Sequence, residues 1–293
     1  LEKLDDGVTI ERDYQDGQLQ FVTQTDLNED GSASDARIWE TRFTEYADDG
    51  QLLLTFEKRD DGVTIERDYQ DGQLQFVTQT DLNEDGSASD ARIWETRFTE
   101  YAEDGQLLLT FEKRDDGVTI EKDYQDGALF SVLETDLNED GSASDARIWE
   151  TRFTDYDESG QKLQSYEVRD NGVTIATQYE NGVISARIME DRDEFGAMTD
   201  TEGWDTFIFI YDETGTLESR RQDFDNGDVT VTLLEDGQNA VRLQLDGDDD
   251  KPWYLRETLY DADGSVAEVN TYAAPEDVPS QYDFLADEMV FVA

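Results

Sequence analysis

One decapeptide in this chain has the residue types and spacing to bind a hard cation. Asp26-Leu27-Asn28-Glu29-Asp30-Gly31-Ser32-Ala33-Ser34-Asp35 recurs letter for letter at 81–90 and 136–145. Alternating Asp, Asn and Asp followed by Gly sets three oxygen ligands around one ion, with the glycine turning the chain back toward it. A fourth ligand is then the Ser32 carbonyl, and Ser34 or Asp35 completes the shell directly or through water. The predicted calcium ligands are Asp26, Asn28, Asp30, Ser32 and Asp35 in the first loop. Asp81, Asn83, Asp85, Ser87 and Asp90 follow in the second, and Asp136, Asn138, Asp140, Ser142 and Asp145 in the third. Position twelve is Arg37 where a helix–loop–helix site carries a bidentate Glu, and the flanks read as strands. The rival reading is an acidic, solvated loop that joins strands and holds no metal. A fourth copy keeps Asp191 and Asp193 but puts Phe195 at the third ligand position, which predicts a lost or weakened site. The fifth shortens to Asp246-Gly-Asp-Asp-Asp250, a charged turn to which the sequence assigns no role.

The electrostatic case for a cation is direct. Asp26, Glu29, Asp30 and Asp35 crowd like charges into ten residues, which repel one another and loosen the loop. An ion that binds only the folded form adds about 2.7 kcal/mol per site at a hundredfold excess over Kd. The whole chain shares this bias: 74 acidic residues face 23 basic ones, for a net charge of -51. Such a surface disfavours nucleic acid and anionic membranes as partners. It also suits salty surroundings. No histidine and no cysteine are present, so histidine triads, thiolate nucleophiles and thiolate zinc sites are excluded. No phosphate-binding loop is present, and nothing singles out a glycosidase-type carboxylate pair. The expectation is a protein that is not an enzyme. Disorder is argued against by 5 Trp, 13 Tyr and 14 Phe, since disordered acidic segments are poor in aromatics. No apolar run approaches the 18 or so residues of a membrane span.

The elements that must position these loops come from a 55-residue repeat. Gly7, Gly62, Gly117, Gly172 and Gly227 keep that spacing, as do Gly17, Gly72, Gly127, Gly182 and Gly237. Trp39, Trp94, Trp149 and Trp204 keep it too, and Trp253 continues the series after a six-residue deletion. Residues 5–59 and 60–114 differ at one position, Asp48 against Glu103. The predicted organisation is repeat 1 (1–59), repeat 2 (60–114), repeat 3 (115–169), a degenerate repeat 4 (170–224) and a degenerate, shortened repeat 5 (225–271). Residues 272–293 form a C-terminal cap or a secretion signal. The chain begins inside a repeat, so it reads as a segment of a longer protein.

Each repeat predicts four antiparallel strands. In the second, Val63–Tyr69 alternates apolar and polar residues up to Asp71-Gly72, and a run starting at Leu74 follows. Residues 91–101 precede Asp104-Gly105, and Leu107–Phe111 precedes Asp116-Gly117. Asp-Gly between alternating runs is a strong hairpin signal, because both central turn residues need positive φ. By alternation Trp94 and Phe98 share one strand face, opposite Ile93 and Tyr101. The fold class is therefore all-β, a tandem array of four-stranded antiparallel units coiled into an extended, solenoid-like sheet. A five-bladed propeller, one repeat per blade, is the alternative. The repeated tryptophans are either packing residues or exposed platforms for sugar rings. The second option would make the protein a multivalent, lectin-like carbohydrate binder.

Tyr211-Asp-Glu-Thr-Gly-Thr-Leu217, Tyr156-Asp-Glu-Ser-Gly160 and Tyr260-Asp-Ala-Asp-Gly264 resemble the Tyr-Asp-x-x-Gly-x-Leu signature of YD-repeat proteins, and Tyr69-Gln-Asp-Gly-Gln-Leu74 is a shorter version. The resemblance implies a sheet of stacked hairpins of the kind found in bacterial cell-surface and toxin-shell proteins. The acidic, cysteine-free texture with Asp-Gly hairpins is similar to repeat regions of RTX-type secreted proteins. The ending Asp287-Glu-Met-Val-Phe-Val-Ala293 is similar to type I secretion signals. Together these imply an extracellular or cell-surface, structural or adhesive segment. Its implied partners are a cell surface, a glycan or other copies of the same protein.

Overall fold

The computed structural model describes residues 1–4, 7–28, 34, 37–83, 89, 92–138, 142, 144, 147–191, 199, 202–248 and 250–285. Two compact units divide the chain, Leu1–Gln161 and Lys162–Ala293. The first holds β1 (Glu2–Lys3), β2 (Thr9–Gln15), β3 (Gln18–Thr25), β4 (Trp39–Tyr46), β5 (Leu52–Arg59), β6 (Thr64–Gln70), β7 (Gln73–Thr80), β8 (Trp94–Tyr101), β9 (Leu107–Arg114), β10 (Thr119–Gln125), β11 (Ala128–Thr135) and β12 (Trp149–Tyr156). The second holds β13 (Lys162–Arg169), β14 (Val173–Glu180), β15 (Val183–Asp191), β16 (Thr206–Tyr211), β17 (Leu217–Asp223), β18 (Val229–Glu235), β19 (Gln238–Leu245), β20 (Leu255–Tyr260) and β21 (Val266–Tyr272). Two 3-10 turns, Pro275–Asp277 and Ser280–Leu285, follow. Within each unit, strands adjacent in sequence pair antiparallel.

Turn chemistry sets this meander. The β2–β3, β6–β7, β10–β11, β14–β15 and β18–β19 hairpins turn on Asp16, Asp71, Asp126, Asn181 and Asp236, each at φ 51–52° and each followed by a glycine of positive φ. Two consecutive left-handed residues match the twist of the strands they join. The turns that follow β12 and β16 work through a side chain instead. Asp212 Oδ1 accepts hydrogen bonds from Thr214 N (2.8 Å), Thr214 Oγ1 (2.6 Å) and Thr216 N (2.9 Å). Asp157 does the same with Ser159 and Gln161. These donors, the Ser159 and Thr214 hydroxyls first, hold both carboxyls below their ordinary range. Where repeats 1 and 2 carry Ala47 and Ala102 in place of that aspartate, Asp49 and Asp104 accept from the Gln51 and Gln106 amides, both at 3.0 Å.

Strands also pair across repeat boundaries. β5 pairs with β6 from Leu54↔Asp68 to Lys58↔Thr64, β9 with β10, and, in the second unit, β17 with β18. Propeller blades are separate sheets, so this continuous pairing overturns the five-bladed alternative. The repeats add strands edge to edge.

One face carries a small cluster in each of repeats 1 and 2. Val63, Ile65 and Trp94 are 2–4 % exposed and pack with Val77, and Val8, Ile10 and Trp39 pack with Val22. Burying a valine or isoleucine fully contributes about 1.5–3 kcal/mol, so each cluster is a modest anchor. The expectation that Trp94 shares a face with Phe98 is overturned. A register shift between Trp94 and Thr96 inserts one extra residue, which moves the indole to the face of Ile65 and Arg97. The same shift occurs between Trp39 and Thr41. Phe98 stays on the opposite face, stacked on Phe76 at 5.7 Å. The second unit has a larger core. Val231, Leu243, Leu255 and Tyr282 are buried together, flanked by Val229, Leu233, Val241, Leu245, Tyr254, Tyr272 and Val278. Val278 and Tyr282 come from the segment after the last strand, which thus covers this face of the final hairpins.

Candidate cation site

The predicted loops leave β3, β7 and β11 at Asp26, Asp81 and Asp136, and these three aspartates are 1 %, 0 % and 0 % exposed. The sheet edge holds them: the Asp26 amide donates to the Glu40 carbonyl at 2.8 Å, and Asp81 and Asp136 repeat this with Glu95 and Glu150. On the side chain, Oδ1 accepts a hydroxyl hydrogen bond, from Ser34 Oγ (2.6 Å), Ser89 Oγ (2.5 Å) and Ser144 Oγ respectively. Oδ2 of all three is buried and meets no hydrogen-bond donor among the described residues.

A buried carboxylate oxygen without a donor costs about 1–3 kcal/mol, and more when the group is charged. Three identical sequences place the same oxygen the same way. The donor set, oxygens alone, fits calcium rather than a soft metal. Asp26, Asp81 and Asp136 are the candidate anchors. Asn28, Asn83 and Asn138 stand two residues beyond them. Asn138 is tied locally: its amide nitrogen donates to the Ser142 carbonyl at 2.8 Å and its Nδ2 donates to Ser142 Oγ at 3.1 Å. The Ser142 carbonyl, expected as a ligand, is engaged by that bond. Ser34, Ser89 and Ser144 serve their aspartates as donors. The remaining predicted ligands, Asp30, Ser32, Asp35, Asp85, Ser87, Asp90, Asp140 and Asp145, lie outside the described residues.

The same root position recurs at Asp191 and Asp246, 0 % and 4 % exposed, but there protein groups satisfy it. Asp191 Oδ1 accepts from Thr199 Oγ1 (2.8 Å) and Oδ2 from the Glu202 amide (2.7 Å). Asp246 Oδ2 accepts from the Lys251 amide at 3.0 Å. Asp228, Asp246 and Asp248 bring one carboxylate oxygen each within 4.8 Å of one another. Lys251 Nζ lies 2.7 Å from Asp228 and Asp250, 3.5 Å from Asp246 and 3.9 Å from Asp248. Sequence reading missed this cluster. Its signal was present: Asp228 occupies the position of the buried Val8, Val63, Val118 and Val173, one repeat period apart.

The indoles sit close by. Trp39, Trp94 and Trp149 are each 4 % exposed, and the guanidiniums of Arg42, Arg97 and Arg152 cover them at 4.7, 4.7 and 4.6 Å from the ring centroids. They are packing residues and offer no face to a sugar. Beside them, Glu57 and Glu112 each bridge two arginines. Burial alone would raise these carboxyls, but hydrogen bonds from Arg59 and Arg42, and from Arg114 and Arg97, outweigh it and hold both below the ordinary value.

No family model matches the chain, and no curated protein matches it. Among solved structures there is a weak similarity to TcdB2-TccC3 without its hypervariable C-terminal region. The TM-score is 0.20 and the identity 11 %, over 90 % of this chain and 18 % of that one. The chain thus spans less than a fifth of that protein's length. A putative 6-phosphogluconolactonase from Bacteroides uniformis is similar at TM-score 0.17 and 12 % identity, over 86 % of this chain and 82 % of that one. At these scores neither likeness bears on function.

Proposed function

We propose that the chain is a non-catalytic structural or adhesive repeat segment of a secreted bacterial protein, working outside the cell and stiffened by calcium at the root aspartates of its first three loops. The observation that carries this reading is the buried Oδ2 of Asp26, Asp81 and Asp136, which meets no donor among the described residues. A divalent ion there neutralises the root carboxylate and the acidic residues that follow it in sequence, and so ties each loop to the sheet. Cytosolic calcium is scarce and extracellular modules bind it at about 0.1–1 mM, so export would itself switch the loops from loose to ordered. Edge-to-edge strand addition supports an extending role: four strands per repeat at about 4.8 Å each lengthen the first unit by about 19 Å per repeat.

Two features support the adhesive half of the reading. Ile38, Ile93 and Ile148 are 70 %, 71 % and 68 % exposed, which gives one apolar contact point in each of repeats 1–3. The side-chain-capped Tyr-Asp-x-x-Gly turns support a kinship with YD-type hairpin repeats. A cell surface, a glycan or further copies of the chain are the proposed partners. The test is a calcium titration of the chelated protein followed by thermal melting. Three occupied sites at a hundredfold excess over Kd predict stabilisation of about 8 kcal/mol in total. A melting temperature indifferent to millimolar calcium would falsify the cation reading.

A further inference from the structure

We propose that Lys251 is a built-in counter-ion: in the fifth repeat its backbone amide closes the root oxygen of Asp246 and its ammonium neutralises the carboxylates gathered beside it, the two tasks that the root aspartates of repeats 1–3 leave to an added ion. This rests on the reading of those aspartates as cation anchors. Five equivalent positions, 26, 81, 136, 191 and 246, all carry a buried aspartate. Three of them keep an oxygen without a donor among the described residues, and repeat 4 closes its own with the Glu202 amide.

Repeat 5 makes a paired exchange. The loop after Asp246 is six residues shorter, which brings Lys251 back over the root. The buried valine of the other repeats becomes Asp228, whose Oδ2 receives the ammonium at 2.7 Å while its Oδ1 accepts the Gly247 amide at 3.0 Å. The ammonium then has carboxylate oxygens of Asp228, Asp246, Asp248 and Asp250 within 4 Å. This resembles the oxygen shell a divalent ion would gather, with an N–H donor in place of the metal. A lysine in the midst of four carboxylates stays charged: hydrogen bonds to Asp228 and Asp250 push its pKa up. The consequence is functional. Chelation loosens the loops rooted at Asp26, Asp81 and Asp136, while the final hairpins keep their order, so one part of the chain stays folded before and after export.

The test is K251Q in the full chain, alone and combined with D26N, D81N and D136N, with calcium binding measured by isothermal titration and folding by circular dichroism. Wild type should bind three calcium ions and K251Q four. The Asn triple variant should bind none, and the same variant carrying K251Q should bind one. K251R, which keeps the charge, should add no site. If K251Q unfolds the last repeat in chelator, calcium should restore it. A K251Q chain that gains no calcium, whether it stays folded or unfolds beyond rescue by calcium, overturns the proposal. Wild type that binds no calcium while K251Q binds one would remove the loop reading and leave Lys251 as the filled site.

Discussion

Repeats 1–3 and repeats 4–5 solve the same problem in opposite ways. Both bury an aspartate where a loop leaves the sheet. In the first three the carboxylate keeps one oxygen without a donor among the described residues, and the loop sequence is preserved letter for letter. In the last two, local donors satisfy it: Thr199 and the Glu202 amide at Asp191, Lys251 at Asp246. The cores follow the same division. The first unit has small valine–isoleucine–tryptophan clusters, whereas the second gathers Val231, Leu243, Leu255 and Tyr282 under its C-terminal segment. A repeat that closes its own polar groups is free to diverge in loop sequence.

The sharpest way to break this contrast is to neutralise one root aspartate on each side. D81N should remove about 2.7 kcal/mol of calcium-dependent stabilisation at a hundredfold excess over Kd, read as a smaller calcium-induced rise in melting temperature. D191N should cost about 1–3 kcal/mol with or without calcium, because two hydrogen bonds to a buried acceptor are disturbed. Equal calcium responses in the two variants would erase the distinction.

A second probe addresses the covered face. Glu257 takes the place of the Phe43, Phe98 and Phe153 row once the six-residue deletion is allowed for. It accepts the Tyr282 hydroxyl, Tyr272 Oη at 3.1 Å and Asn270 Nδ2 at 3.0 Å. Burial alone would raise its carboxyl, yet these donors, Tyr282 foremost, hold it low; burial and Glu257 push Tyr282 up to about 12. Y282F should therefore cost about 1.5–3 kcal/mol, the range for a hydrogen bond to a charged acceptor. The readout is faster limited proteolysis of the residues after 272. Unchanged cleavage would detach that segment from the account.

The smallest expected effect is acid sensitivity in the first unit. Glu57 and Glu112 titrate below their ordinary value of 4.5 in the folded chain. Their contribution is present above that pH and fades as pH falls through the lower folded value. E57Q with E112Q should cost about 0.5–1 kcal/mol per site near neutrality, discounted because the arginine partners are partly exposed. The gap between variant and wild type should close on acidification. A gap that persists in strong acid would assign those glutamates a packing role alone.

Much of the fold was legible in the letters. The 55-residue period and the paired Asp-Gly turns with positive φ set the number and polarity of strands, because turn stereochemistry is a local property of two residues. The root aspartates were legible as candidate ligands for the same reason: Asp-x-Asn-x-Asp-Gly is a local pattern. The face of Trp94 was not. One extra residue at Glu95 moves it, and a bulge depends on how the partner strand registers. Lys251 escaped for a related reason. Its meaning lies in Asp228, a residue 23 positions earlier that only strand pairing brings near.

By itself the sequence determined a cysteine-free, acidic β-repeat, its hairpin turns and the three loops that could take a cation. Only the tertiary structure decided three further matters: that repeats join by edge pairing, that Trp39, Trp94 and Trp149 are buried under arginines, and which root carboxylates keep an oxygen without a donor among the described residues. The physical reason is the range of the forces involved. Backbone conformation at a turn is settled within a few residues, whereas burial and the pairing of a charge depend on which side chains the sheet brings together from distant positions.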